Sequence, residues 1–343
     1  MEEGVGEWGV VLGPIPCRQE VHREYRGKHG PVFRAVGAVV CGRVVVFRYS
    51  VSWAGPSSAF ARPAAKQVRS AMGVRVSVII PTWNRAAEVV DAVGDVLRQT
   101  ETDFEVLVCD DGSTDESRAR VQAIADPRLF WIDGPRSGCP AAPRNRGIRL
   151  ARGEWIAFLD SDDRWLPSKL ARQLEVASAA GVGAVSSNAT RLRDGKPAGT
   201  VVDHPRPLIR TADLLSWNPV VCSSMVVRAD VLRRCGGFPE DRAHLAIEDH
   251  ALWLRVAAIT DIAYVEECLV RYRDEPVTSV RARLSASADE QRLALYEGYR
   301  RWWRESGYWP SLSHRLLVAA RCLRSRGRLR AAARCAPAPG APR

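Results

Sequence analysis

Apolar and polar positions follow two alternating patterns along residues 74–188. Short apolar runs predict buried strands, and apolar residues spaced by three or four predict amphipathic helices. The predicted strands are 74–80, 103–110, 129–133, 154–160 and 182–188. The predicted helices between them are 86–100, 115–125, 142–151 and 167–181. Strands that alternate with helices predict an α/β fold with a doubly wound, mostly parallel sheet.

The pattern is less regular beyond residue 188. Apolar spacing predicts helices over 211–217, 229–238 and 248–259. It predicts strands over 220–228 and 263–273, and a helical, arginine-rich tail from residue 285. These elements extend the α/β unit without continuing its strict alternation.

Polar clusters follow three of the predicted strands, at the point where each strand ends. They are 81–84 (PTWN), 110–113 (DDGS) and 160–163 (DSDD). Open α/β sheets bind ligands outside the carboxyl ends of their strands. One such loop would mean little, but three at one edge of one sheet predict a binding site.

The third cluster places Asp160, Asp162 and Asp163 within four positions. Like charges this close resist ionisation unless something positive lies among them. Two carboxylates at a sheet edge suit Mg²⁺ or Mn²⁺, which prefer oxygen ligands and share their shell with substrate phosphates. The alternative is that the last two cap the helix that starts near Pro167, and we assign Asp163 to that helix. We therefore expect the neutralising charge to be a bound cation rather than a side chain.

Four blocks of the chain resemble signature blocks of the inverting family 2 glycosyltransferases. They are VSVIIPTWNR, VLVCDDGSTD, PRNRGIRLARGEWIAFLDSDDRW and IEDHALWLRV, within residues 75–275. The resemblance implies a GT-A fold, a Rossmann-like doubly wound sheet. It also implies metal-dependent transfer of one sugar from a nucleoside-diphosphate sugar, with UDP favoured, to a hydroxyl of a cell-envelope, polysaccharide or lipid-linked glycan.

The resemblance also implies roles for individual residues. Asp249 matches the catalytic base, and Asp160 and Asp162 match the D-x-D metal ligands. Arg144 is placed near the donor phosphate. The implied donor contacts are Pro81, Thr82, Trp83, Asp111, Asn145 and Asp160.

Three of these residues also fit ordinary structural roles when they are considered alone. Trp83 fits a core aromatic, Asn145 fits a solvated helix residue, and Asp249 fits a helix cap or a partner of the helix dipole. Ser223, Ser224 and Trp217 lie where relatives shape the acceptor pocket, or are plain strand and turn residues.

The chain departs from the resemblance at residues 272–276 (YRDEP), where many relatives carry a histidine. The role of that histidine is then absent, or falls to Arg271, Arg273 or Asp274. The Q-x-x-R-W block of processive synthases is also missing, which favours addition of a single sugar.

Two rival functions use similar features. A nucleotidyltransferase needs a glycine-rich basic loop after the first strand, and PTWNRAAE contains no glycine. A non-catalytic nucleotide-sugar binder would explain the missing histidine, but the chain retains Asp160, Asp162 and Asp249.

Charge is concentrated at the C-terminal end. The 343 residues carry a net charge of +11, and residues 281–343, with 14 arginines and 4 acidic residues, hold +10 of it. We divide the chain into a glycosyltransferase domain (74–285) and a basic amphipathic tail (286–343). The tail either contacts an anionic membrane surface or packs on the domain with solvated arginines. We expect no nucleic acid partner.

Residues 1–73 show no clear periodicity, and we predict a poorly structured extension. Met72 directly precedes the first regular strand, so we expect it to be an alternative natural start. Nine cysteines are scattered singly, which is typical of a reduced, cytoplasmic protein. No apolar run is long enough to span a membrane, so we expect a cytoplasmic protein, peripheral at the inner face of the membrane if the tail binds lipid.

Overall fold

The structure is a computed structural model. It describes residues 74–275 and 286–335, together with the backbone of four strands between residues 9 and 52. The chain divides into two compact units, Met1–Arg69 and Ser70–Arg343.

The first unit contains a four-stranded antiparallel sheet in the order β1-β4-β3-β2. Cys41 pairs with Val44 across a hairpin whose strands are two residues apart in sequence. The sequence pattern did not predict this sheet, because glycine and arginine interrupt its valine-rich runs. The alternative start at Met72 stays a prediction. The strands are β1 Gly9–Val11, β2 Glu24–Tyr25, β3 Val32–Cys41 and β4 Val44–Ser52.

The second unit is built on a ten-stranded mixed sheet, whose main path runs β12-β14-β10-β13-β8-β5-β6-β7. Strands β8, β5, β6 and β7 are parallel to one another, as the alternating pattern predicted. The short strand β13 is antiparallel to both of its neighbours, β8 and β10. The ten strands are β5 Val76–Thr82, β6 Phe104–Asp110, β7 Leu129–Ile132, β8 Trp155–Phe158, β9 Arg164–Trp165, β10 Ala184–Arg193, β11 Lys196–Thr200, β12 Leu208–Ile209, β13 Val226–Arg228 and β14 Ile262–Arg273.

Helices cover the sheet and bury two separate apolar cores. One core includes Val89 and Val93, and the other includes Phe158 and Trp253. Helix α4 ends where predicted, because Gly181 adopts a left-handed conformation with φ of 64°. The helices are α1 Ala86–Leu97, α2 Ser117–Gln122, α3 Ala141–Leu150, α4 Lys169–Ala180, α5 Thr211–Leu214, α6 Ala229–Cys235, α7 Glu248–Ile259, α8 Ala288–Glu305 and α9 Leu312–Cys335.

The predicted strand over 220–228 was largely wrong. Cys222–Ser224 forms a 3₁₀ turn, and only Val226–Arg228 is a strand. The Ser224 hydroxyl donates to the carbonyl of Val221 at 2.7 Å. Serine side chains offer the backbone local partners of this kind and so compete with sheet pairing.

Lysine 169, in the first turn of α4, is fully buried. Its Nζ donates to Gln173 Oε1 at 2.6 Å and lies 3.9 Å from the centroid of the Trp165 ring. Burial lowers the pKa of Lys169 well below its ordinary value of 10.5. A buried ammonium without a carboxylate partner destabilises the fold.

This burial predicts a pH-dependent stability. Between the lowered folded pKa and 10.5, the unfolded chain binds the extra proton, so the free energy of unfolding rises with pH. One group contributes at most about 1.4 kcal/mol per pH unit. Lys169→Met should remove this slope, whereas Lys196→Met, at an exposed position, should leave it. Urea unfolding at several pH values measures it, and identical slopes in wild type and Lys169→Met would contradict the expectation.

Helices α8 and α9 pack against each other near the C-terminal end of the described chain. Tyr299, Trp302 and Trp303 of α8 are buried, and Val318 and Cys322 of α9 belong to the same core. Among the described residues, no helix is both long and apolar enough to cross a membrane.

Candidate donor and catalytic site

Neighbouring parallel strands bring the three polar clusters to one edge of the sheet. Thr82 at the end of β5 pairs with Asp110 at the end of β6. Ile79 of β5 pairs with Phe158, the last residue of β8. Residues 160–163, which we call the acidic loop, follow this strand. The carboxyl ends of β5, β6 and β8 therefore meet where the sequence placed the site.

The acidic loop is held beyond its C-terminal end by Asp95 of α1. This carboxylate accepts hydrogen bonds from the guanidinium of Arg164 at 2.6 Å and from the backbone N–H of Trp165 at 3.1 Å. The short strand Arg164–Trp165 also pairs with β14. These contacts hold the segment that follows the three carboxylates.

Two arginines neutralise the exposed side of the acidic loop. Arg144 Nη2 donates to Asp160 Oδ1 at 2.5 Å, and Arg85 Nη1 lies 2.5 Å from Asp162 Oδ2. Burial alone would lower the pKa of Arg144, but nearby carboxylates, Asp160 first, raise it well above its ordinary value. The expectation that no side chain supplies the neutralising charge was therefore wrong.

The third carboxylate, Asp163, does not cap the following helix. The helix α4 has Ser168 at its N-cap and no side-chain cap hydrogen bond. Asp163 is buried instead, and it accepts from Ser223 Oγ at 2.5 Å and from the backbone N–H of Arg273 at 2.9 Å. Burial, with the charges of Asp162 and Asp160, raises the pKa of Asp163 well above its ordinary value. The assignment to α4 was wrong because the loop folds this side chain inward.

Arg144 also connects the acidic loop to the start of α7. Its Nη1 donates to Glu248 Oε1 at 3.0 Å, and both side chains are almost fully buried. Burial raises the pKa of Glu248, the charge of Arg144 opposes that rise, and the charge of Asp249 adds to it. One guanidinium therefore joins Asp160 to the helix turn that carries Asp249.

Asp249 lies half-buried in the first turn of α7. Its carboxylate accepts the backbone N–H of His250 at 2.6 Å and lies 3.5 Å from Asn218 Nδ2. The apolar residues Leu252, Leu254 and Val256 are buried, as the sequence predicted, and anchor the helix. The anchored helix delivers Asp249 to the side of the site where residues 214–218 run.

Trp83 lies at the outer end of the site and is 39% exposed, so it is not a core aromatic. The guanidinium of Arg136 lies over its ring, 3.7 Å from the centroid. Thr82 Oγ1 is buried without a hydrogen-bond partner in the described structure, and Pro81 is buried beside it. The Arg136 guanidinium and the Trp83 ring therefore form a flat surface at the sheet edge, next to the Thr82 hydroxyl.

The aspartates Asp110 and Asp111 have different partners. Asp110 accepts the backbone N–H groups of Gly112 and Ser113 at 3.0 to 3.1 Å, so it holds its own loop. Asp111 pairs with Arg136 and accepts from Ser137 Oγ at 2.6 Å. Its implied contact with the donor stays a prediction, and in this structure its oxygens are hydrogen-bonded to the 136–138 loop. Sequence reasoning missed Arg136, whose only signal was a positive charge shortly after a strand.

Asn145 forms structural hydrogen bonds beside the site. Its side-chain amide donates to the carbonyl of Phe238 at 2.9 Å and accepts the N–H of the same residue at 2.8 Å. It also donates to Glu240 Oε1 at 2.7 Å. Ser223 likewise has a structural contact, because its hydroxyl accepts the N–H of Asp160 at 2.9 Å. Trp217, in contrast, is half exposed and remains open to a ligand.

Comparison with known proteins adds a second line of evidence. The model of the family described as "Glycosyl transferase family 2" matches residues 77–233. The chain is 30% identical over 181 residues to the Escherichia coli protein named UDP-Glc:alpha-D-GlcNAc-diphosphoundecaprenol beta-1,3-glucosyltransferase WfaP. That match covers 53% of this chain and 69% of the relative. The chain belongs to glycosyl transferase family 2.

Two further relatives of this family 2 glycosyltransferase extend the comparison. The putative teichuronic acid biosynthesis glycosyltransferase TuaG of Bacillus subtilis is 30% identical over 202 residues, covering 58% of this chain and 78% of that one. The S. aureus TarS 1–349 structure in complex with UDP-GlcNAc has a TM-score of 0.59 at 19% identity, covering 73% of this chain and 72% of that chain. This likeness confirms the predicted GT-A fold.

The family 2 chain carries other groups where many relatives have a histidine. The backbone N–H of Arg273 holds Asp163, and its guanidinium pairs with Glu275 at 2.9 Å. The hydrogen bond and charge of Glu275 raise the pKa of Arg273, burial opposes the rise, and the charge of Asp162 adds to it. Asp274 pairs with Arg193 at 2.9 Å on the neighbouring strand. Of the three substitutes considered, the guanidinium of Arg273 is thus placed near the acidic loop.

The carboxylates of this family 2 site suit a divalent cation that would bind together with the diphosphate of the sugar donor. Within the described part of the chain, no three His, Cys, Asp or Glu side chains come together as a ready-made metal site. Asp160 and Asp162 supply two half-buried carboxylates, and each is paired with an arginine. Mg²⁺ is commonly bound by one or two carboxylates together with substrate phosphates. The residues fit such a shared site, with phosphate oxygens completing the coordination.

Proposed function

We propose that this family 2 glycosyltransferase moves one sugar from a nucleoside-diphosphate sugar, with UDP favoured, to a hydroxyl of a lipid-linked cell-envelope glycan, with inversion at the anomeric carbon. One observation carries the proposal. Arg144 joins Asp160, at the predicted donor end of the sheet, to Glu248 in the helix turn of Asp249. This supports the proposal, because the carboxylates proposed to face the donor and the turn of the proposed base share one arginine.

The relatives support the class of substrates. The name of the E. coli relative describes transfer of glucose from UDP-glucose to a diphosphoundecaprenol-linked sugar, and that of the B. subtilis relative places it in teichuronic acid biosynthesis. The TarS structure was solved with UDP-GlcNAc. These names support a UDP-sugar as the donor class and a lipid-linked or cell-envelope glycan as the acceptor class.

The base of the donor fits the surface at Trp83. A planar ring can stack on the indole or on the guanidinium of Arg136, which now lies over it. The Thr82 hydroxyl, buried without a partner in the described structure, would gain one if the nucleoside reached it. Asp111 would pair with the base if the 136–138 loop gives up part of its hold on that carboxylate.

Asp249 is the proposed general base. A carboxylate within reach of the acceptor hydroxyl removes its proton as the oxygen attacks the anomeric carbon. The departing diphosphate develops negative charge, which the guanidinium groups of Arg85 and Arg144 can stabilise. A single displacement with one base inverts the configuration, since no second carboxylate forms a covalent intermediate.

We propose that Asp160 and Asp162 hold Mg²⁺ or Mn²⁺ together with the donor diphosphate. The cation would neutralise charge on the leaving group. The half-exposed guanidinium of Arg85 would then turn from Asp162 toward the phosphates.

Donor binding tests the proposal directly. Thermal unfolding with a panel of nucleoside-diphosphate sugars and Mn²⁺ should show stabilisation by at least one donor, about 2.7 kcal/mol at a hundred times its Kd. Asp162→Asn should abolish the Mn²⁺-dependent part of the shift. The matched control is Asp126→Asn, which also removes a half-buried carboxylate paired with an arginine, at 2.8 Å from Arg128. No shift with any donor, or an unchanged shift in Asp162→Asn, would contradict the proposal.

A further inference from the structure

Helix α9 packs on the domain with one face and leaves a second apolar face exposed. Val318, Cys322 and Ser325 are buried. Leu312, Leu316 and Leu323, which we call the apolar stripe, are 63%, 61% and 68% exposed. Spacings of four and seven place the stripe on one side of the helix. The helix therefore packs on the domain, which was one of the two alternatives for the tail, but it does so through Val318 and Cys322 and not through these leucines.

Arginines lie on both sides of the apolar stripe. Helical spacing places exposed Arg324 on one flank and exposed Arg326 on the other, and Arg326 also pairs with Glu297 of α8 at 2.5 Å. Arg330 extends the exposed face toward its end. Exposed leucines bordered by arginines are the composition of a helix that lies in the interface of an anionic membrane.

The segment 214–218 connects α9 to the turn of the proposed base. Arg321 of α9 donates to the carbonyl of Leu215 and to Ser216 Oγ, the latter at 3.1 Å. Two residues further on, Asn218 Nδ2 lies 3.5 Å from Asp249. Half-exposed Trp217 stands between these contacts. Residues 215–216, which contact α9, therefore lie only a few residues from Asn218, next to the proposed base Asp249.

We propose that the apolar stripe and its flanking arginines dock the enzyme on an anionic lipid membrane, which presents a lipid-linked acceptor on the side of Asp249. This inference rests on the proposed function for the class of acceptor. Leucine side chains enter the headgroup boundary, and arginines pair with lipid phosphates. A second copy of the chain is a poorer occupant, because it would bring two arginine-rich faces together.

Vesicle flotation of the full chain tests the docking surface. Vesicles with phosphatidylglycerol should bind the enzyme at least about tenfold better than phosphatidylcholine alone, and salt should weaken the binding. The triple variant Leu312→Ser, Leu316→Ser, Leu323→Ser should lower binding more than about tenfold. The control Leu150→Ser removes another exposed leucine, on α3, and should leave binding unchanged.

A charge test separates headgroup attraction from apolar insertion. Replacing Arg324 and Arg330 with glutamine should lower binding by about tenfold or more. Replacing Arg118 and Arg120, exposed on α2, makes the same change of charge and should have little effect. Equal losses in both pairs would overturn the assignment to α9, since any cationic surface would then suffice.

Three outcomes would overturn the proposal: no binding to anionic vesicles, binding that survives the triple variant, or a soluble dimer that Leu316→Ser dissociates. If the triple variant does not fold, as judged by thermal unfolding, the single variant Leu316→Ser is used for the test.

Donor-induced thermal shifts on the same proteins distinguish the two proposals. A retained donor shift without vesicle binding refutes only the docking surface, whereas vesicle binding without any donor shift refutes the proposed function.

Discussion

Asp249→Asn is expected to lower kcat by about 10²- to 10⁴-fold, the range that general-base catalysis supplies. The amide keeps the shape of the side chain and can still accept the N–H of His250, at 2.6 Å in the wild type. It cannot take the proton of the acceptor hydroxyl. Donor binding should therefore be unchanged, and the loss should lie in turnover of sugar transfer.

The measurement is initial-rate transfer to a lipid-linked acceptor, with the donor thermal shift recorded in parallel. Asp241→Asn is the control, since this carboxylate lies in the preceding segment and pairs with His244 at 2.7 Å. It should retain near-normal turnover. Full turnover in Asp249→Asn would exclude this residue as the base, as would a product that retains the configuration of the donor.

Arg144→Met is expected to lower the free energy of unfolding by about 3–5 kcal/mol, the cost of breaking a buried ion pair by removing one partner. The side chains of Arg144 and Glu248 are only 5% and 6% exposed. Without the guanidinium, Glu248 keeps a buried charge or takes up a proton, and Asp160 loses its partner. Urea unfolding at neutral pH measures the effect.

Arg85→Met provides the matched control. Arg85 and its partner Asp162 are 38% and 27% exposed, so water screens the pair and the expected loss is about 1 kcal/mol or less. The double variant Arg144→Met, Glu248→Gln should recover part of the stability that the single change loses. Equal losses in the two single arginine variants, or no recovery in the double variant, would show that Arg144 does not act through Glu248.

Much of the fold was predictable because it depends on local periodicity. The parallel strands that end at Thr82, Asp110 and Phe158 are short apolar runs bounded by polar loops, a pattern typical of a buried sheet. The main exception in the second unit is the stretch 220–228, where the Ser224 hydroxyl bonds to the nearby carbonyl of Val221. The antiparallel position of β13 between β8 and β10 could not be predicted from the sequence, because a strand of three residues shows almost no periodicity.

The candidate site was predictable as a set of strand ends, but not as a set of contacts. Asp160, Asp162 and Asp249 were identified from their positions and from the family resemblance. Their partners were not, because Arg144 reaches residues 16 and 104 positions away. Contacts between residues so far apart in sequence depend on how helices and strands pack in three dimensions. Local sequence patterns do not show that packing.

By itself the sequence determined the α/β architecture, the acidic loop at the sheet edge and the basic character of the tail. These properties follow from the order of apolar and charged residues along the chain. The tertiary structure alone decided that arginines neutralise the acidic loop, that Asp163 turns inward, and that α9 packs through Val318 and Cys322 while its leucines face outward. A helix with two apolar faces can bury either one, and only the shape of the surface it meets selects between them.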